Sequence, residues 1–205
     1  MALSALAHLA IHFGQWSVRI DPTVASEIKE RAEWYYHRAD AAVSARGRTH
    51  PALAGMATTV TAAYTAGEDL FVAHVGHSRA YLYRGGTLTQ LTRDHTLAWH
   101  METSGGPAGV DSGTQDLKHI LTETIGGDAG NPLVDIDHMR LLDGDGVLLC
   151  TNGLTDVVSD NRIAGVLTFR RTSREQCRLL VDLALRAGTE DNVTVLLAQY
   201  EIPRT

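Results

Sequence analysis

Cysteine, positive charge and long apolar runs are all scarce in this sequence. Only two cysteines occur in 205 residues, Cys150 and Cys177, each within an apolar stretch. Two such thiols exclude a disulfide-stapled scaffold and read as buried structural residues of a reducing compartment. The longest apolar run, Ala2 to Ile11, is broken by Ser4 and His8 and falls short of the roughly 20 residues that span a bilayer. No Lys or Arg precedes it, so it also fails as a signal peptide. The expected location is the cytoplasm, with no membrane partner. Eighteen basic residues stand against 24 acidic ones, a formal charge of -6, and no basic stripe appears. That balance argues against nucleic acid as a partner.

What is present is ordinary globular composition, 44% hydrophobic and 20% charged, which excludes a disordered or collagen-like chain. The length suits a single domain, residues 1–205, and no repeat or linker interrupts it. Ten histidines draw attention to metal and acid–base chemistry.

Leu3, Leu6, Ala7, Ala10 and Phe13 keep helical spacing from the first residues, with no cap before them. A helix without a start signal leads us to expect that something precedes it. A second helix has Asp21 as N-cap and Pro22 at its first position, and Gly47 is expected to end it. Alternation then predicts strands over Thr58 to Tyr64, Leu70 to Val75, Ala80 to Tyr83 and Thr87 to Leu91, read as an antiparallel meander. Met101 to Gly113 reads as a loop and Asp116 to Glu123 as a short helix. Strands are expected at Val134 to Leu141, Gly146 to Thr151 and Asn192 to Tyr200, and helices at Asn161 to Leu167 and Ser173 to Ala187. This order predicts an α+β fold of antiparallel sheets covered by helices.

Three polar segments sit beside apolar strands: Val75-Gly76-His77-Ser78-Arg79, Leu149-Cys150-Thr151-Asn152-Gly153-Leu154-Thr155-Asp156, and Gly188-Thr189-Glu190-Asp191-Asn192-Val193-Thr194-Val195. Strand ends that converge can hold hard cations through oxygen ligands. Each segment alone also reads as turn chemistry.

Taken in order, with Gly55-Met56-Ala57-Thr58-Thr59, Leu91-Thr92-Arg93-Asp94-His95 and Thr124-Ile125-Gly126-Gly127, they resemble the type 2C protein phosphatases. These are the metal-dependent serine/threonine phosphatases of the PPM family, and the likeness is to bacterial members. The resemblance implies an antiparallel β-sandwich flanked by antiparallel helix pairs. Counterparts of the family's N-terminal strands, with their Asp-Gly-x-Gly-Gly turn, are missing, so the chain is expected to be N-terminally incomplete.

The departures from that pattern bear on chemistry. Where the family has Gly-Asp-Ser-Arg this chain has His77, and where it has Ser-Asp-Gly this chain has Asn152; the third ligand position keeps Asp191. Phosphoester hydrolysis needs positive charge at the phosphoryl oxygens and an activated water. Losing two carboxylates argues against two ions, because a neutral amide holds a hard dication weakly. The expected metal residues are Asp191, Asn152 and His77, holding one Mn²⁺ or Mg²⁺ weakly, or none. His77 and Asp191 are the candidate catalytic residues, His77 as a base of near-neutral pKa or as a ligand. His8 and His12, four apart, read as a helix-surface pair, and Asp94-His95 as structural.

Three functions follow as expectations. The first is a divergent phosphoester hydrolase with an at most mononuclear site and weak, broad activity on a phosphoester or phosphoprotein. The second is a pseudophosphatase acting as a binding or regulatory module. The third is a C-terminal fragment of a longer active phosphatase. Uncovered sheet edges lead us to expect a homodimer.

Overall fold

The computed structural model describes residues 20–103, 117–127, 130–169 and 171–202. In chain order the elements are α1 (Pro22–Thr49), β1 (Ala57–Thr58), β2 (Val60–Ala66), β3 (Asp69–Val75), β4 (Arg79–Arg84), β5 (Thr87–Gln90) and α2 (Leu97–Thr103). They continue with β6 (Ile125–Gly126), β7 (Asp135–Arg140), β8 (Gly146–Cys150), α3 (Asn152–Thr155), α4 (Asp160–Thr168), α5 (Ser173–Arg186) and β9 (Val195–Gln199). Helices and antiparallel sheets together make an α+β fold. The helix expected over the first residues, with His8 and His12, lies outside the described residues, as does most of the expected loop at Met101 to Gly113.

The chain divides into two units, one running to His77 and resuming over Arg93–Met139, the other made of Ser78–Thr92 and the segment from Arg140 onward. In the first unit, α1 starts where Asp21 Oδ1 accepts the backbone N–H groups of Thr23 and Val24, at 2.8 and 3.0 Å. That satisfies two donors a helix start leaves without partners. Its buried face repeats every three or four residues through Ala25, Ile28, Ala32, Tyr36, Ala39 and Val43. The Tyr36 hydroxyl donates to the Ala73 carbonyl at 2.8 Å, tying α1 to β3. Ala32, Tyr36, Ala39 and Val43 pack with Ala73, Val75 and Ile125 into one core. Burial of each larger apolar side chain contributes about 1.5–3 kcal/mol. The helix runs two residues past Gly47. It stops because Pro51 disfavours helical backbone at His50, which is extended at φ -130° and ψ 105°.

In the second unit, four strands order as β5-β4-β8-β9, each neighbouring pair antiparallel. Leu148, Cys150, Leu154, Ile163, Leu180 and Ala184 form its core with Tyr81. Gln176, buried on α5, donates its Nε2 to the Leu167 and Phe169 carbonyls, both at 3.1 Å, and so closes the C-terminus of α4. Cys150 is buried as expected, whereas Cys177 is only half-buried.

The expected meander is two hairpins instead. β2 pairs β3 in a sheet ordered β2-β3-β7, while β4 and β5 belong to the other sheet. Alternation reports which face of a strand is buried and says nothing of which sheet receives it. Of the short helix expected at Asp116 to Glu123, residues 118–124 show a turn and a bridge from Leu121 to Thr96.

Candidate functional site

In the first unit, β3 ends at Gly76, whose φ of +116° and closeness to Thr59 exclude a side chain. A Cβ there would sit 2.2 Å from Thr59 Cγ2. Two imidazoles hold this peptide. The Gly76 N–H donates to His95 Nδ1 at 3.2 Å, and the Gly76 carbonyl accepts from the His95 N–H at 2.7 Å and from His74 Nε2 at 2.9 Å. His74 Nε2 also meets the Arg93 carbonyl at 3.0 Å, and its Nδ1 lies 2.8 Å from Thr61 Oγ1. These partners fix both tautomers. Each Nε2 carries the proton, and each Nδ1 accepts.

His95 Nε2 donates to Asp135 Oδ2 at 3.0 Å, and Arg93 grips the same carboxylate through Nε and Nη2, both at 2.6 Å. Burial, and then the nearby His95, push the His74 pKa down to about 4. Burial alone would raise the Asp135 carboxyl, but the Arg93 and His95 hydrogen bonds hold it below the ordinary carboxylate range. With both ring nitrogens engaged, His95 anchors the backbone, in line with a structural role for Asp94-His95. His77 follows the clamped peptide and is half-buried. A separate cavity of about 360 Å³ lies at the C-terminus of α1, lined by Ser44, Arg48, Pro51, Gly55 and Met56 among others.

In the second unit, β8 ends at Thr151, and its neighbour across the junction is the turn at Asp191–Thr194. The Thr151 hydroxyl donates to the Asn192 carbonyl at 3.0 Å and accepts the Thr194 N–H at 2.9 Å. Gly153 permits the approach, since a Cβ on it would meet the Asn192 carbonyl oxygen at 2.5 Å. Asn152 is thereby brought to Asp191, 39 positions away, with its Nδ2 3.1 Å from Asp191 Oδ2. The same Nδ2 lies 3.0 Å from Asp156 Oδ2, one helical turn on. Asp191 Oδ1 accepts the Asn192 N–H at 2.7 Å. Asn152 is buried, and both carboxylates are exposed to solvent.

Of the three residues expected to form a metal site, Asn152 and Asp191 meet, and His77 belongs to the first unit. Asp156 had been read only as part of a segment, although its place four residues after Asn152 is the available signal. The network of buried His74 and His95 with the more exposed Asp135 and Arg93 had no signal as a whole, since Asp135 joins it from 40 positions beyond His95. Among the described residues, no three His, Cys, Asp or Glu side chains converge on a point.

The protein phosphatase 2C family model matches residues 20–104. The serine/threonine protein phosphatase PstP of Mycobacterium tuberculosis is 32% identical over 198 residues, which cover 97% of this chain and 36% of that protein. The chain therefore spans about a third of the length of that relative. The solved serine/threonine phosphatase of S. agalactiae superposes with a TM-score of 0.83 at 27% identity, covering 98% of this chain and 80% of the other. The PstP catalytic domain in complex with two manganese ions superposes at 0.75 and 32% identity, covering 97% of this chain and 78% of the other. No helix among the described residues is long and apolar enough to cross a membrane.

Proposed function

The chain belongs to the protein phosphatase 2C family, and from that premise we propose that it is a divergent phosphoester hydrolase of weak, broad activity on phosphorylated serine and threonine. The supporting observation is the convergence of Asp156 and Asp191 on Asn152 at one strand end, two carboxylates that favour one Mn²⁺ or Mg²⁺ over a pair. Asp191 and Asn152 would hold that ion, and it would supply positive charge to the phosphoryl oxygens and acidify a nearby water. His77, of the first unit, is a candidate base on its position in the sequence pattern alone. Turnover of an activated aryl phosphate, with and without Mn²⁺, tests it. Activity lost in an Asp191→Ala/His77→Ala double variant supports the proposal, and equal inactivity of both proteins sinks it.

A second reading, a pseudophosphatase that binds without hydrolysing, is favoured by the direction of the Asn152 amide. Its nitrogen, a donor, faces the carboxylates where a ligand would turn an oxygen. Tight Mn²⁺ binding in calorimetry would count against it. In either case we propose a single domain over residues 1–205, a cytoplasmic location and a homodimer. Support for the dimer comes from β9, a terminal strand of its sheet with Leu196 55% exposed. A monomer in light scattering at micromolar concentration would reject it.

A further inference from the structure

Asn152 carries two amide hydrogens on one nitrogen, and that nitrogen lies 3.0 Å from Asp156 Oδ2 and 3.1 Å from Asp191 Oδ2. The opposite orientation would set the lone pairs of the amide oxygen against those of both carboxylates, so donation is the stable arrangement. Two anions gathered on one small, partly positive centre is also what a cation between two carboxylates produces. The difference is that the amide brings partial charge and remains covalently attached.

We infer that Asn152 is a built-in stand-in for the ion: its amide occupies the place between Asp156 and Asp191, and a divalent cation reaches those carboxylates only by turning the amide out. This rests on the reading above that the corner is the seat of the chain's chemistry. Several contacts keep the amide there. Asp156 caps the C-terminus of α3 with its N–H donating to the Asn152 carbonyl at 2.9 Å, Thr151 stitches the strand end to the Asn192 carbonyl and the Thr194 N–H, and Asp191 is oriented by the Asn192 N–H. An ion must break two hydrogen bonds to charged groups before it gains its ligands, which weakens its binding by about tenfold or more. Replacing the amide with a carboxylate reverses the situation. Three carboxylates then face one another, and they need a cation to do so.

Thermal unfolding and calorimetry of the full chain and of Asn152→Asp, in chelator and in millimolar MnCl₂, test the inference. The wild type should melt at the same temperature in both. Asn152→Asp should melt lower in chelator, recover with Mn²⁺, and bind it at least about tenfold more tightly than wild type. Wild-type protein that binds Mn²⁺ as tightly as the variant overturns the inference while leaving the corner as a cation seat. A folded variant that binds none overturns the reading of the corner itself, and the stand-in with it. If the variant does not fold, NMR of the wild type decides. Two slowly exchanging Asn152 Nδ2 protons, unmoved by millimolar Mg²⁺, support the stand-in, and their displacement by Mg²⁺ refutes it.

Discussion

Where β3 runs out at Gly76, two buried histidines and a paired carboxylate meet strong partners; where β8 runs out at Thr151, two carboxylates stay in water and share one buried neutral amide. At the first strand end, the charge of Asp135 is met by a two-pronged Arg93 and by an imidazole N–H, and two neutral histidines lock a backbone peptide. At the second, Asp156 and Asp191 are held by hydrogen bonds from Asn152 that water can replace. Burial of His74 and His95 makes the first arrangement costly to disturb, because these two rings cannot recover their hydration. Exposure of its carboxylates makes the second cheap to disturb, because water can replace the bonds they lose. The first strand end is therefore the more costly to disturb, and the second is the one where the proposed chemistry would lie.

The comparison can be broken most severely by acid. His74 is neutral in the folded protein, with its pKa lowered from the ordinary 6.5 to about 4. As pH falls from 6.5 to 4, the unfolded chain takes up a proton that the folded chain refuses, so stability falls through that window. The loss from this group is about 3 kcal/mol and is complete below pH 4. Urea unfolding at stepped pH should show it, and His74→Gln should flatten the slope. A midpoint equally pH-dependent in the variant would remove His74 as the cause.

Crowding gives the next largest effect, now in the second unit. Gly153→Ala would set a Cβ 2.5 Å from the Asn192 carbonyl oxygen and push the two segments apart. The expected loss is about 2 kcal/mol in denaturant unfolding. No change would mean that the close approach is not needed.

Removing the shared donor should matter least. Asn152→Ala is expected to cost about 1 kcal/mol, since both carboxylates can turn to water. A loss as large as that from acid would erase the distinction between the two strand ends.

Much of the fold was readable from neighbouring residues. Asp21 and Pro22 start α1 by local capping, period-two alternation located β2 and β3 to within a few residues, and the glycine-rich turn before Gly146 located the start of β8. The end of α1 was misplaced at Gly47 because a glycine can sit inside a helix, whereas Pro51 forbids its continuation. The split of the expected meander was hidden for a different reason. Strand alternation is a property of one segment, and membership of a sheet depends on segments far away.

The candidate site divides along the same line. The residue types at positions 77, 152 and 191 are fixed by the sequence alone, and with them the expectation of a weakened metal site. That Asn152 turns its nitrogen to Asp191, and that Asp156 joins them, was decided only by tertiary structure. An amide is a donor at one end and an acceptor at the other. Which end is used depends on the charges that folding brings against it from 39 residues away.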